Sequence, residues 1–388
     1  MNSNRLRPLI FCITLLSLAC AGVIASAESG PNWNAPQQTP PAEKTVEQVQ
    51  KNIQVLKGLP QAELIPVMNY MSVSLGVKCT FCHVNKDGKW DFPSDEKPEK
   101  ATAREMIKMV LGINKTNFKG VTEVTCNTCH RGRTHPTSNI SFPLPEAPEP
   151  RATNAEPKPK ETPPTADQIL DKYVEALGGK AAIDNLQSRV MKGTWLTLNG
   201  ITLGYEVYQS GPDKLYTVLN TPKQGAFERG FDGNVGWEKS TRGVRTLEDP
   251  ELYYLRRYPD LFKDIKLKEQ FTRLSFGGTD KIDGKEVYVL RGVTADNKRE
   301  RLFFDAQTGL LFRRSTSVTT MIGVIPEQVD YEDYRDAGGI KLPFTIRVSS
   351  IDSFFSSTRK FSEIKVNAPV DQTKFSKPAG PSAAPPRP

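Results

Sequence analysis

Apolar positions recur at helical spacing in three stretches near the start of the chain. In 45–57 they are Val46, Val49, Ile53 and Leu56. In 61–75, after Pro60, Met68, Met71 and Leu75 share one face, and Pro66 calls for a late start or a kink. In 98–113, Met106, Met109, Val110 and Ile113 fall on one side. From 136 to 164 the pattern stops: nine of 29 residues are proline, mixed with Glu, Lys, Ala and Thr, the composition of an extended tether between independently folding parts. A new pattern then begins. The helix ADQILDKYVEAL is stopped by Gly178-Gly179. Strand-like runs follow at 188–198, 201–209, 213–220, 226–231, 235–240, 271–277, 285–293, 299–305, 310–318, 340–350 and 355–366, with a helix expected at 248–263. Asn199-Gly200, Thr308-Gly309 and Gly338-Gly339 mark turns. So many short strands with so few helices predict a curved antiparallel sheet or an open barrel.

Length and composition sharpen this division. A chain of 388 residues accommodates two or three domains. The net charge of +8 is spread along the chain with no run of five basic residues, which argues against nucleic acid as partner. Beyond the N-terminus no apolar run reaches the ~18 residues of a membrane helix. Arg5 and Arg7, an apolar stretch from Pro8 to about Ile24, and Ala25-Ser26-Ala27 before Glu28 form the pattern of a cleaved export signal, residues 1–27. An uncleaved anchor is one other reading. Lipid modification of Cys20 is a second, although Ser17 stands where such signals carry a larger aliphatic residue. The expected organisation is a signal (1–27), a loose leader (28–44), a helical domain (45–136), a Pro-rich linker (137–164), a β domain (165–376) and a disordered tail (377–388).

Of six cysteines, two lie in the signal. The other four are Cys79, Cys82, Cys126 and Cys129, each pair followed directly by histidine, His83 or His130. Two copies of Cys-x-x-Cys-His are the attachment signature of c-type haem. Thiols three positions apart reach the two vinyl groups on one edge of the porphyrin, and the adjacent imidazole reaches the iron. Two local disulfides would leave the histidines unexplained, and a zinc site would gather six potential ligands for a four-coordinate ion. The expected cofactors are therefore two covalent haem c groups. For the sixth iron position the chain offers one more histidine, His135, and two Met-x-x-Met helices: Met68 and Met71 before the first motif, Met106 and Met109 before the second. Methionine ligation raises the reduction potential relative to a second histidine.

VLKGLPQAELIPVMNYMSVSLGVKCTFCHV, KATAREMIKMVLGIN and VTCNTCHRG resemble the cytochrome subunit of photosynthetic reaction centres. That family is built of helix-turn repeats in which the axial methionine sits just upstream of its haem motif. The resemblance implies Met68 for the first haem and Met106 for the second, with Met71, Met109 and His135 as alternatives. The family carries four haems and this chain two, so the resemblance carries no photosynthetic role with it. GFDGNVGWE, LFFDAQTGLLFRR and DYEDYRDAGGIKLPFTIR are similar to outer-membrane lipoprotein-sorting proteins of the LolA/LolB type. The fold this implies is an antiparallel half-barrel with covering helices and an apolar cavity, placed after a small α-helical di-haem domain. Phe304-Asp305…Thr308-Gly309 reads as turn chemistry, and the tyrosines and aspartates of 330–334 as an alternating strand. No His or Cys follows His135, which removes Ser-His-Asp and Cys-His catalysis from the β domain.

These readings converge on a periplasmic, non-enzymatic carrier of single electrons that meets redox partner proteins. Its β domain would hold an apolar ligand, lipid or quinone, or dock on a partner or a membrane surface. Two other functions compete. A di-haem peroxidase needs one open iron position, which carbon monoxide binding to the reduced protein would reveal. A lipid or lipoprotein carrier with accessory haems would co-purify with lipid and reduce slowly.

Overall fold

Thirteen of the strands join in one antiparallel sheet, and among the described residues six α-helices precede it in the chain. The computed structural model describes residues 44–87, 89–136, 163–222, 225–248, 251–256, 260–295, 298–351 and 356–381. The signal, Cys20 and all but the end of the Pro-rich linker lie outside the described residues. The helices are α1 (Val46–Val49), α2 (Leu64–Leu75), α3 (Pro98–Asn117), α4 (Cys126–His130), α5 (Ala166–Leu177), α6 (Lys180–Asp184) and α7 (Glu251–Leu255). A small hairpin of β1 (Val84–Lys86) and β2 (Lys89–Asp91) stands between α2 and α3. The large sheet comprises β3 (Ser188–Thr197), β4 (Thr202–Ser210), β5 (Lys214–Thr221), β6 (Gly225–Phe231), β7 (Gly236–Ser240), β8 (Gly243–Thr246), β9 (Phe271–Ile282), β10 (Lys285–Thr294), β11 (Arg299–Asp305), β12 (Leu311–Thr320), β13 (Gly323–Asp336), β14 (Lys341–Ser350) and β15 (Ser357–Val366). Its order is β8-β7-β6-β5-β4-β3-β15-β14-β13-β12-β11-β10-β9, open between β8 and β9.

Local sequence accounts for most boundaries. Pro66 falls in the first turn of α2, where a missing N–H costs nothing, and Gly76 ends the helix at φ +67°. Pro98 opens α3. Thr165 and Gln168 cap α5 reciprocally, Gln168 N donating to Thr165 Oγ1 at 3.2 Å and Thr165 N to Gln168 Oε1 at 2.9 Å. Asp305 Oδ1 accepts from the N–H groups of Gln307 (3.0 Å) and Thr308 (2.9 Å), so the Asp-x-x-Thr-Gly motif is a structural turn.

Several expectations need correction. The helix expected over 45–57 ends at Val49. Asn52 and Leu56 adopt left-handed backbone, and the segment folds back so that Val46 N donates to Leu59 O at 2.9 Å. The closing bonds bury Val46, Leu56 and Leu59 together, while Val49 is exposed. Within 248–263 the helix among the described residues is α7, and Leu261 and Ile265 reach the core from turns. Asp333 sits at φ +56° with no ladder pair between Glu332↔Thr345 and Tyr334↔Pro343, although the register is the same on both sides; Asp330 and Tyr331 are both buried, so the residues of 330–334 do not simply alternate. Residues 377–381, expected in the disordered tail, run beside β8: Val244 N donates to Pro381 O at 2.9 Å and Lys377 Nζ to Thr246 Oγ1 at 2.8 Å.

The largest core fills the concave side of the sheet. Ile169, Leu170, Tyr173 and Leu177 of α5 pack there with Leu290, Leu302, Phe304 and Leu342. On the opposite side Phe375 covers Tyr216 and Trp237, whose Nε1 donates to Phe375 O at 2.7 Å.

The expectation of two parts touching only through a tether misses one feature. β11 pairs with β12 as far as Ser317, and β14 pairs with β13 from Glu327. Beyond those points β12 and β13 continue alone as a two-stranded arm from Ser317↔Pro326 to Thr320↔Gly323. Pro326 is tolerated there because its missing N–H faces no neighbouring strand. The arm's tip enters the helical region. Ile322 is fully buried with Val46, Leu59, Val67 and Ile107, and Met321 and Ile325 pack beside it. Thr122 Oγ1 donates to Thr320 O at 3.1 Å. The described residues, which begin at 44, accordingly belong to one compact unit.

Candidate haem sites and a cavity under the sheet

The second Cys-x-x-Cys-His motif is itself α4, so Cys126, Cys129 and His130 lie at i, i+3 and i+4 and share one helix side. Thr125 caps it, accepting from Thr128 N at 3.3 Å while Thr128 Oγ1 accepts from Thr125 N at 3.0 Å. The approach to the motif is pinned by Asn114, a buried polar residue of α3. Its Oδ1 accepts from Glu123 N (3.2 Å) and Val124 N (2.9 Å), and its Nδ2 donates to Val124 O (2.8 Å). His130 Nδ1 donates to Arg133 O at 2.9 Å. That bond fixes the tautomer and leaves Nε2 bare, the arrangement expected of a metal-ligating imidazole.

The first motif begins with a 3-10 turn, Cys79–Phe81, and His83 N donates to Cys79 O at 3.0 Å. The His83 ring meets Phe92 edge-on at 5.2 Å, and Phe92 stacks on Trp90 at 5.1 Å. Burial, with Lys100 nearby, pushes the His83 pKa down and favours the neutral imidazole. His83 Nδ1 is buried with no hydrogen-bond partner among the described residues. None of the four cysteines is paired in a disulfide, and burial raises the pKa of the Cys82 and Cys126 thiols. Among the described residues no three His, Cys, Asp or Glu side chains gather as a metal cluster. Around the motifs Val73, Phe81, Phe92, Met106, Met109 and Phe118 are exposed, an apolar surface that a large flat group would cover. The residues therefore fit covalent haem at both motifs.

The two motif segments touch. Gly132 N donates to Ser74 O at 2.8 Å, and a Cβ on Gly76 would lie 2.2 Å from Gly132 O. α2, which carries Met68 and Met71, thus packs against α4 as well as preceding the first motif. Met68 and Met71 are half-buried beside the core that holds Ile322, and Cys126 borders the same core. Met106 and Met109 lie on the exposed side of α3, opposite Ile107 and Val110. His135 is exposed. Sequence reading missed Asn114, the Gly76–Gly132 contact and the arm; only the glycines, each next to a motif, offered a local signal.

A cavity of ≈ 420 Å³ lies against the concave side of the sheet. Met191 and Trp195 of β3, Val207 of β4, and Leu215 and Leu219 of β5 give it an apolar wall. One end is charged. Arg314 is buried and donates to Glu300 Oε2 (2.7 Å), Asp264 Oδ1 (3.2 Å), Gln270 Oε1 (3.0 Å) and Lys263 O (3.0 Å). Tyr331 Oη donates to Asp264 Oδ1 at 2.7 Å, and Tyr173 Oη bonds the Asp264 carbonyl. Burial works against both charges. Glu300 and Asp264 nevertheless hold Arg314 above its ordinary pKa, and Arg314 holds Asp264 below its own. Arg189 lies at the same end, bonded to Gln209.

The sequence model of the family described as "Photosynthetic reaction centre cytochrome C subunit" matches residues 23–187. The chain is 39% identical over 87 residues to cytochrome c-554 of Chloroflexus aurantiacus, covering 20% of each chain. It is 33% identical over 117 residues to the photosynthetic reaction center cytochrome c subunit of Rubrivivax gelatinosus, covering 28% of this chain and 31% of that one. The chain thus spans between a fifth and a third of these relatives. Two solved structures cover the remainder. A DUF1329 family protein from Desulfovibrio piger covers 54% of this chain and 96% of its own, at 13% identity and a TM-score of 0.40. A LolA superfamily protein from Nitrosomonas europaea covers 55% and 99%, at 14% identity and 0.35. The N-terminal part is cytochrome c-like, and the 13-stranded open sheet with its helices follows it.

Proposed function

We propose that this chain is an exported two-haem c-type cytochrome that carries single electrons between redox partner proteins in the periplasm. Covalent haem supplies reversible one-electron oxidation and reduction of its iron. Cys79 and Cys82 hold the first haem and Cys126 and Cys129 the second; His83 and His130 are the proximal ligands. The observation that carries the reading is the geometry of the second motif. Its two cysteines and its histidine share one side of α4, the histidine's Nδ1 is already tied to Arg133 O, and its Nε2 is bare. With a methionine on each distal side no iron position stays open, which favours a carrier over a peroxidase.

Expression with the cytochrome c maturation machinery, followed by acid-acetone extraction, tests this. Intact mass should exceed the cleaved polypeptide by two haem masses; a mass equal to bare polypeptide overturns the proposal. The same mass also separates cleavage after Ala27 from lipid attachment at Cys20, the alternative that would anchor the protein to a membrane.

Met68 and Met106 are the proposed distal ligands. Met68→Ala and Met106→Ala should each remove one haem's share of the near-infrared sulfur-to-iron band and lower that haem's potential. The same loss from Met71→Ala or Met109→Ala would move the ligand by about one helical turn, and from His135→Ala would make it histidine.

The cavity favours a second role beside the first. We propose that the sheet binds an apolar ligand, a lipid or a quinone, in the space between β3–β5 and the segment that carries Leu255, Asp260 and Asp264. A cavity of this size, with an apolar wall on β3–β5 and charged side chains around it, has the character of a site for a small molecule that carries both kinds of surface. This is also what a carrier with accessory haems would use, and the rate of haem reduction separates the two.

A further inference from the structure

One cation at the charged end of the cavity is not neutralised in the way its neighbours are. Arg314 is enclosed by Glu300, Asp264 and Gln270. Arg189 instead donates from Nε (3.0 Å) and Nη2 (2.7 Å) to one neutral oxygen, Gln209 Oε1. No acceptor bonds its Nη1 among the described residues. The acids nearest to it are engaged elsewhere: Asp264 by Arg314 and Tyr331, and Asp260 by Phe262 N at 2.8 Å. Burial lowers the Arg189 pKa against the opposing pull of Asp264 and Asp260, so a further anion at this point would meet a desolvated charge. Five basic and three acidic residues line the cavity, but Arg314 and Arg229 are paired with Glu300 and Glu238 behind its wall, so the preference for an anion rests on Arg189 itself.

The register of the sheet supplies the rest. Arg189↔Gln209, Met191↔Val207 and Trp195↔Leu203 are cross-strand pairs on the cavity side of β3 and β4. They form a track that begins at the Arg189 guanidinium and is apolar at Met191 and Val207; a second lining cation, Arg359, stands 4.4 Å over the Trp195 ring. From Arg189 to Thr197 the track runs about 27 Å at the ordinary rise of a strand. It ends at the β3–β4 hairpin tip, where Leu198 and Ile201 are 64% and 54% exposed and also line the cavity. A charged inner end, an apolar track and an apolar mouth match a single molecule with the same gradient.

We propose that Arg189 anchors the acidic head group, carboxylate or phosphate, of a single-tailed amphiphile whose tail lies along Met191, Trp195 and Val207 and leaves by Leu198 and Ile201. This rests on the reading of the cavity as a ligand site. Charge-assisted hydrogen bonds contribute the head-group preference, and the tail contributes affinity without regard to the head.

Equilibrium dialysis of the full-length holoprotein against radiolabelled hexadecanoate and hexadecan-1-ol tests the head group with the tail held constant. The acid should bind about tenfold or more tightly than the alcohol. Arg189→Met should weaken the acid by about 10–100-fold and leave the alcohol within about twofold, while Arg189→Lys keeps part of the preference. Equal affinity for acid and alcohol in the unaltered protein needs no variant to interpret: it overturns the anchor and leaves the cavity reading standing. Failure of both to bind overturns the cavity reading itself, and the anchor with it. Mass spectrometry of an organic extract from protein made in its own host distinguishes the sources. A free fatty acid or a phosphorylated lipid supports the anchor, and a quinone or neutral lipid overturns it.

Discussion

Ile322→Ala is expected to destabilise the helical region that carries the two motifs by about 2–5 kcal/mol, although residue 322 lies more than 190 positions beyond the second motif. Ile322 is fully buried among Val46, Leu59, Val67 and Ile107, so truncation leaves a cavity in a small core with little else to fill it. Gly323→Ala should act at the same place by crowding. A Cβ there would lie 2.2 Å from the Tyr70 ring, and the arm or α2 must shift, at about 1–3 kcal/mol. Val324→Ala is the control: Val324 is 39% exposed on the same arm, and its truncation should stay within about 0.5 kcal/mol. Thermal unfolding followed by Soret circular dichroism reads the haem region, and far-ultraviolet dichroism reads the sheet. Equal melting of Ile322→Ala and Val324→Ala in the Soret signal would show that the arm does not complete the helical core.

The second large effect concerns attachment. Cys126→Ala with Cys129→Ala is expected to lower the intact mass by one haem and to halve the Soret absorbance per polypeptide, leaving the first haem in place. The corresponding change at Cys79 and Cys82 should do the reverse. A disturbance of both haems by either double variant is expected only in reduction potential, because the segments beside the motifs are in backbone contact at Gly76 and Gly132. Gly76→Ala should therefore disturb both sites at once. It strains a residue at φ +67° and drives a methyl group onto the Gly132 carbonyl. Loss of both haems from one cysteine pair's removal would mean that the motifs are not independent attachment sites.

The sequence alone determined what depends on a few adjacent residues. Cys-x-x-Cys-His carries its chemistry in five positions, so both candidate haem motifs could be proposed before any fold was known. Period-two apolar runs and the turns at Asn199-Gly200, Thr308-Gly309 and Gly338-Gly339 placed most of the strands, because turn geometry and strand alternation are set locally. The stop of α5 at Gly178-Gly179 was legible for the same reason. Tertiary structure decided what depends on distant partners. Val46, Val49, Ile53 and Leu56 have helical spacing, yet left-handed Asn52 and Leu56 let the segment close on Leu59 and bury itself instead. Strand β13 was half hidden because Pro326 speaks against a strand; it is allowed only where the arm has outrun its neighbours, which the sheet order alone defines. Arg314 and Asp264 are 50 residues apart, and nothing local marks either as buried. Arg189 differs from other arginines only in the amide opposite it and in the low-dielectric space it faces, and both are products of strand register. Ile322 reads as one more apolar residue in a hairpin; it joins the haem region's core because its own sheet offers it no cover and the helices do.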